Sequence, residues 1–427
     1  MRYPKYIEDD FLFPDFYRVQ MNHPGRGLED PVKALLDSLD DAFLTSRIKK
    51  GDTVAIGVGS RGIANIAQLV TALCQRFRDV GAKPHIIPAM GSHGSATAEG
   101  QVQVLAKLGI TEAVCGAPVV STMDVVRVGE VMGEVPVYFS KDALSMDHSV
   151  CINRIKPHTK FKGAVESGLC KMLCIGMGKH QGALAYHNMA LKYGFFPLLK
   201  TMAEKIISTT NFRFGIALVE DLFEDTMVIE PVPGEEVVER ESRLLNIARD
   251  NFPHLPFRSL DALIIREIGK DISGSGMDPN VTGRTYDLME DDFSGILQAG
   301  RIAILNLSEK TGGNAIGLGN ADIITEKVFK GLDYESTVMN ALTSISLRKA
   351  YIPIRLPNDQ KAIQAAFTTL GPLSPDKARA VIIQDTLHTQ GFWASQALLP
   401  EVEAMENAEI MEKKNLVFDE NGDLNLT

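Results

Sequence analysis

Thr53-Val-Ala-Ile-Gly-Val58, followed by Gly59-Ser-Arg-Gly-Ile-Ala-Asn65, decides the fold. The first six residues are small or β-branched and read as a short buried strand, and the next seven form a Gly-rich turn. Residues 66–80 then place Leu69, Val70, Leu73 and Phe77 on one helical face. A strand that enters a helix through a glycine turn is the unit of an α/β protein, and it presents backbone N–H groups to an anion. The unit repeats at once: His85-Ile-Ile-Pro-Ala-Met90 reads as a strand, Gly91-Ser-His-Gly-Ser95 as a turn, and residues 97–108 as a helix. Glu99 lies in that helix's first turn, where the dipole favours an acid.

Working outward, residues 30–47 carry helical spacing of Leu and Ala after a lead rich in Asp, Pro and aromatics. Residues 119–139 read as strands with turns, and 149–153 as another short apolar strand. Residues 185–208 form a long helical pattern, and 214–220 a further strand. The two prolines in Asn251-Phe-Pro-His-Leu-Pro-Phe-Arg-Ser259 mark the best boundary. The expected organisation is two α/β domains, residues 1–256 and 257–427. The second opens with a Gly-rich turn around Gly274 and holds another at residues 311–320. Its tail after Pro400 is charged and reads as a helix with a loose end. Two cores suit 427 residues, too many for one ordinary domain.

Composition narrows the class. With 45% hydrophobic and 23% charged residues the chain is globular in character. A net charge of −10 without a basic run argues against nucleic acid as partner. No apolar run reaches the roughly 18 residues of a membrane span, and the first ten residues lack the apolar core of a signal peptide. The expectation is a cytoplasmic protein. Five cysteines without CxxC pairing fit reduced thiols.

Chemistry concentrates between Pro157 and His187, where three of the nine histidines, four lysines and five glycines crowd one stretch. The strand that ends at Asn153 delivers the chain into it. Three strand ends therefore nominate Arg61, His93 and His158 for one crevice, since ligands collect where the strands of open α/β sheets end. Histidines offered from different loops suit acid/base work near neutral pH, although each taken alone reads equally well as a surface or structural residue. A guanidinium at Arg61 can clamp a carboxylate or serve in a surface ion pair. Lys171 sits within Leu-Cys-Lys-Met-Leu, surroundings that depress a lysine pKa and prepare it for a covalent link, or that it escapes by reaching outward. Cys170 and Cys174 fit core packing better than a soft-metal site. His180 and His187 are further possible ligands, without a spacing that names a metal.

In order along the chain, Gly-Ser-Arg61-Gly, Gly-Ser-His93-Gly, Pro157-His158 and Lys171 with His187 sixteen positions later resemble the nickel-dependent lactate racemase family. The resemblance spans most of the N-terminal half. It implies two α/β domains with the active site in the cleft between them. It implies as cofactor a nickel-pincer nucleotide, pyridinium-3,5-bisthiocarboxylic acid mononucleotide nickel, made by dedicated biosynthetic enzymes. Lys171 would form the thioamide tether, His187 would ligate nickel, His93 and His158 would be the catalytic acid/base pair, and Arg61 would hold the substrate. The implied reaction inverts the C2 carbinol of a 2-hydroxy acid. This chain departs from the pattern where Gly62 and Gly94 follow the Arg and the first His, and where three extra residues lie between His158 and Lys171. These differences point to a divergent branch with a reshaped pocket, and a substrate larger than lactate.

Two other classes stand beside this one: a metal-dependent lyase or hydrolase using His158, His180 or His187 as ligands, and a non-catalytic nucleotide- or metabolite-binding protein. In the second domain Lys270, Asp278, Asn280 and Arg284 are candidate phosphate or substrate contacts by their place in a Gly-rich turn alone.

Overall fold

The computed structural model of the chain describes residues 11–60, 62–286, 293 and 295–426. It separates into two compact units. One is Gly25–Phe252, and the other joins the residues from Pro253 onward to those before Gly25.

The Gly25–Phe252 unit is built on a five-stranded sheet ordered Lys83–Pro88, Thr53–Val58, His148–Arg154, Phe212–Glu220, Thr226–Pro233. The first four strands run parallel, and the last is antiparallel. Thr53–Val58 lies inside the sheet and is buried from Val54 onward, which explains its unbroken apolar run. The helix Ile66–Asp79 covers one face with Ile66, Leu69, Val70, Leu73, Cys74 and Phe77, the i, i+3, i+4, i+7 set read from the sequence. Ala98–Lys107 begins where the Thr97 hydroxyl accepts the Gly100 N–H, and Glu99 occupies its first turn. Val125–Val131 and Val135–Ser140 form a separate antiparallel hairpin.

Against the opposite face lie Leu169–Lys171, Met172–Gly176, Lys179–Tyr193 and Phe195–Thr209. Two strand glycines permit this close packing: a Cβ on Gly57 would come within 2.7 Å of Met177 Sδ, and one on Gly215 within 2.7 Å of Leu169 Cδ1. The long helix expected over residues 185–208 is two helices, because Gly194 breaks it with φ +81°.

The second unit has an eight-stranded sheet ordered Ile354–Leu356, Ile323–Thr325, Gln298–Leu307, Ser259–Ile268, Ala380–Ile383, Gly391–Ser395, Phe16–Met21, Ala408–Lys414. The first five are parallel. Phe16–Met21, at the start of the chain, pairs antiparallel with both Gly391–Ser395 and Ala408–Lys414. The N-terminal lead thus completes the sheet of the C-terminal half. The tail also differs from expectation: after the short helix Leu399–Glu403 it forms the strand Ala408–Lys414 and a small hairpin, Val417–Phe418 with Leu424–Asn425. Glu409, Met411 and Lys413 are exposed on one side of that strand, whose backbone bonds go to Phe16–Met21. Among the described residues no helix is long and apolar enough to cross a membrane.

Candidate active site

Lys83–Pro88, Thr53–Val58 and His148–Arg154 are adjacent and parallel, so the turns leaving them open on one edge of the sheet. Those turns carry His93, Ser60 and His158, as the strand-end argument expects. Arg61 lies outside the described residues. His93 is exposed at the sheet edge, and its Nδ1 is hydrogen-bonded to the Ser60 hydroxyl. Its turn is held from below: Gln101 Nε2 donates to the carbonyls of Gly91, at 2.9 Å, and of His93, at 3.3 Å. Gly94, with φ +64°, lies so close to Gly100 that a Cβ there would fall 2.5 Å from the Gly100 carbonyl carbon. No other residue fits that turn without moving the helix start.

His158 is half-buried on a loop folded around one carboxylate. Glu166, whose side chain is fully buried, accepts the His158 N–H at 2.6 Å on Oε2 and the Gly163 N–H at 3.2 Å on Oε1. Arg249 pairs with the same Glu166 oxygen and donates to the Gly163 carbonyl at 2.7 Å. The loop from 158 to 166 is thereby closed at both ends and braced from the helix Val237–Asp250. Within it the Lys160 N–H donates to His158 Nδ1 at 3.1 Å, so the neutral imidazole carries its proton on Nε2.

Lys171, half-buried, ends the single turn Leu169–Lys171, and the chain continues as a π-helical turn, Met172–Gly176. Gly168, which precedes the turn, offers no side-chain cap. Capping comes from far along the chain: Glu241, fully buried, accepts the Cys170 N–H at 2.7 Å. Burial pushes its carboxyl up to about 7, and its Oε1 meets no hydrogen-bond partner among the described residues. Asn153, at the end of its strand, donates to the Gly168 carbonyl at 3.0 Å. The same segment supports the neighbouring turns. A Cβ on Gly59 would lie 3.1 Å from Met172 Cε, and one on Gly91 3.0 Å from Ile175 Cγ2.

His187, on Lys179–Tyr193, is joined to His158 by successive ring contacts. His158 packs on Phe161 at 4.5 Å, Phe161 stacks on Phe195 at 5.3 Å, Phe195 meets Tyr186 at 6.1 Å, and Tyr186 meets His187 at 5.3 Å. The Tyr186 hydroxyl donates to the Phe195 carbonyl at 3.0 Å, fixing the middle of this wall. Burial, with the charges of Lys160 and Lys171 adding to it, lowers the His187 pKa to about 4. Its Nδ1 is buried and meets no hydrogen-bond partner among the described residues. A neutral imidazole with an unengaged ring nitrogen is the state a metal requires of a histidine ligand.

The same shift has a consequence for stability. As pH falls below 6.5 the unfolded chain protonates this imidazole, while the folded chain resists down to about 4. His187 therefore costs stability progressively over that interval and contributes no slope above it. The thermal midpoint is expected to fall between pH 7 and pH 5, and to fall less in a His187→Phe variant. Equal slopes in the two proteins would contradict a buried neutral His187.

Cys170 and Cys174 are fully buried, and burial holds both thiols well above their ordinary range, which fits packing. Among the described residues no group of three or more His, Cys, Asp or Glu side chains converges as a metal centre, and His180 is exposed. Lys179, missed in the sequence, is fully buried with φ +53°. Its Nζ donates to the Pro88 carbonyl at 2.6 Å and reaches Gln101 Oε1 at 3.4 Å, tying this helix to the His93 turn. Burial lowers its pKa to about 8. Glu166 was also missed, although it is the one acid between Pro157 and His187 and so carried a signal. Ser60, Gln101, Arg249 and Glu241 carried none, because their roles rest on contacts distant in sequence.

In the other unit, Arg284 is engaged with Asp322, at 2.6 Å, and with the carbonyl of Ala299. Asp278 accepts from the Asn280 backbone and side chain, at 2.9 and 2.7 Å, and caps Pro279–Thr282. Lys270 Nζ donates to the Gly274 carbonyl at 3.1 Å. These contacts hold the Gly-rich turn together.

Residues 18–194 match the lactate racemase N-terminal domain family. Over that stretch the chain is similar to this family. His93, His158, Lys171 and His187 all fall inside the matched stretch, as do Ser60, Glu166 and Lys179. Glu241 and Arg249, which brace it, lie beyond. The fold is similar to that of the lactate racemase apoprotein from Thermoanaerobacterium thermosaccharolyticum, with a TM-score of 0.50 and 14% identity over 91% of this chain and 95% of that one. That likeness is one of fold. Comparison with curated proteins gives no match.

Proposed function

We propose that the protein is a racemase or epimerase that inverts the C2 carbinol of a 2-hydroxy acid. The observation that carries this reading is the arrangement inside the stretch that matches the lactate racemase N-terminal domain family. Acid/base histidines leave two strands that flank a third, and a neutral His187 with an unengaged nitrogen lies along one aromatic wall from His158.

The residues fit the family's cofactor. His187 would ligate the metal through its free nitrogen, and Lys171, held at its helix turn by Glu241, would carry the tether. Bound there, a nickel-pincer nucleotide supplies a hydride acceptor that the twenty side chains lack. The remaining work belongs to the chain. Inversion needs a group on each side of the carbinol to move the hydroxyl proton.

His93 can hand Nδ1–H to the Ser60 oxygen and so present a bare Nε2 as base. His158, with Nδ1 held by the Lys160 N–H, presents Nε2–H as a hydrogen-bond donor to the oxygen of the developing 2-oxo group; to return a full proton it must first be imidazolium, which requires the Lys160 contact to open. Turnover in the opposite direction exchanges these roles, and for His158 to accept a proton on Nε2 its contact with Lys160 must open. Arg61 is assigned the substrate carboxylate by its position after Thr53–Val58. The aromatic wall keeps water from the reacting centre.

The test is composition before activity. Protein made in cells that build the cofactor should carry nickel and an added mass that peptide mapping puts on Lys171. Protein from such cells with neither nickel nor added mass would sink this reading.

A further inference from the structure

We propose that Lys179 is a positioning residue that sets the acid/base His93 in register with the helix carrying His187, and that it acts through the side-chain amide of Gln101. This deepens the reading above and rests on it for the role of His93. Three observations carry it.

The first is what opposes a lysine at this position. Lys179 is fully buried, and the acid that acts on it, Asp142, is committed to the N–H and hydroxyl of Thr122. Nζ meets neutral oxygens instead, the Pro88 carbonyl at 2.6 Å and Gln101 Oε1 at 3.4 Å. The backbone has φ +53°, a left-handed conformation that L side chains rarely adopt. Lys179 also opens the helix Lys179–Tyr193, where the dipole disfavours a cation. Desolvation, backbone and dipole all weigh against it, and what an apolar residue would lack here is the donor.

The second is the direction in which Gln101 points. With its pKa at about 8 the Lys179 amine is a cation at neutral pH and can only donate. It therefore faces the oxygen of the buried Gln101 amide, and the amide nitrogen is turned to the carbonyls of Gly91 and His93. A Gln101 rotated by half a turn would set its nitrogen against the ammonium and its oxygen against those two carbonyls. Lys179 thus selects the one orientation that holds the His93 turn.

The third is what the contact joins. Bonds inside the turn, from the His93 N–H to the Met90 carbonyl at 3.1 Å and from the Ala96 N–H to the His93 carbonyl at 3.4 Å, shape it without placing it against the rest of the unit. Lys179 places it at two points, the end of the strand Lys83–Pro88 and Gln101 on the helix Ala98–Lys107. The helix that begins at Lys179 also lies against Gly91, where a Cβ would fall 3.6 Å from Ala183 Cβ, and farther along it carries His187. The position of His93 is therefore referred to the helix that bears the proposed metal ligand.

The experiment is NMR on the cofactor-free full-length chain labelled with carbon-13 at the histidine Cε1, in wild type, Gln101→Glu and Lys179→Met. The His93 signal is assigned by its loss in His93→Ala. Gln101→Glu keeps an oxygen for Lys179, now as an ion pair, and removes both N–H donors to the turn. In both variants the His93 signal is expected to shift or broaden as its bond to Ser60 loosens, while His148, held by Asp52 and Arg213, keeps its wild-type signal. In the loaded enzyme kcat should fall about 10-fold or more in both, with KM within about twofold. A lysine that only tied two elements together would leave Gln101→Glu with a wild-type His93 signal, because the ion pair preserves that tie. A His93 signal unmoved in either variant would overturn the proposal, as would one that moves only together with His148. Should Lys179→Met fail to fold, Lys179→Gln takes its place, since its amide both donates and accepts and so no longer selects the orientation of Gln101. The signal is read without turnover, so the nickel and mass test can fail while this one succeeds, and the reverse.

Discussion

His158→Ala is expected to lower kcat for interconversion of 2-hydroxy acid enantiomers by about 10²- to 10⁴-fold, the usual contribution of a positioned acid/base group. The same loss is expected from His93→Ala, because inversion needs both faces served. The two variants should nevertheless differ. His93 is exposed, and Gln101 holds its turn through the backbone carbonyls of Gly91 and His93, so removal of the imidazole leaves those contacts in place. His158 stacks on Phe161 and accepts the Lys160 N–H, so its loss also frees one end of the aromatic wall. KM should therefore rise in His158→Ala and stay near the wild-type value in His93→Ala. Solvent proton exchange at C2 offers no substitute for this readout, since in the proposed reaction the hydrogen at carbon does not pass through a solvent-exchangeable base. Optical rotation followed from each enantiomer is the direct measurement. Retention of more than about a tenth of turnover in either variant would remove that histidine from the mechanism.

Glu166→Ala should destabilise the fold by about 2–4 kcal/mol, read by denaturant unfolding. Removing one partner of a buried ion pair costs roughly 3–5 kcal/mol, and the Arg249 side chain, 35% exposed, recovers part of that by turning to solvent. The two N–H groups of His158 and Gly163 lose their acceptor in the same step. Turnover should fall with stability, because the loop carrying His158 loses both of its bonds to Glu166 and keeps only the Arg249 bond to the Gly163 carbonyl. Glu166→Gln separates the effects: its amide oxygen still takes one N–H, so much of the fold's stability should return while the second anchor stays lost. A Glu166→Ala chain as stable as wild type would show that the loop is held by its apolar contacts alone.

Much of the fold was legible because its signals are local. The apolar run at Thr53–Val58, the glycine turn and the i, i+3, i+4 face of Ile66–Asp79 each depend on residues within a few positions of one another. So does the choice of His93 and His158, which follows from a strand pattern ending in a polar, Gly-flanked turn. Elements set by distant partners escaped. The strand Phe16–Met21 has no local reason to join Gly391–Ser395, and the charged tail resembles a helix until its pairing with Phe16–Met21 supplies the missing backbone bonds. Glu241 reaches Cys170 across 71 positions, and Arg249 reaches Glu166 across 83.

By itself the sequence determined the kinds of element, the strand-turn-helix rhythm of the N-terminal half, and the residue types offered at the strand ends. Periodicity and glycine placement express backbone sterics and side-chain burial, and both act over short stretches. Tertiary structure alone decided which strand ends are neighbours and which buried carboxylates hold the His158 loop and the Lys171 turn. It also decided that His187 stands neutral along a wall shared with His158. Those outcomes depend on desolvation and on hydrogen bonds closed between distant segments, and neither exists until the chain has folded.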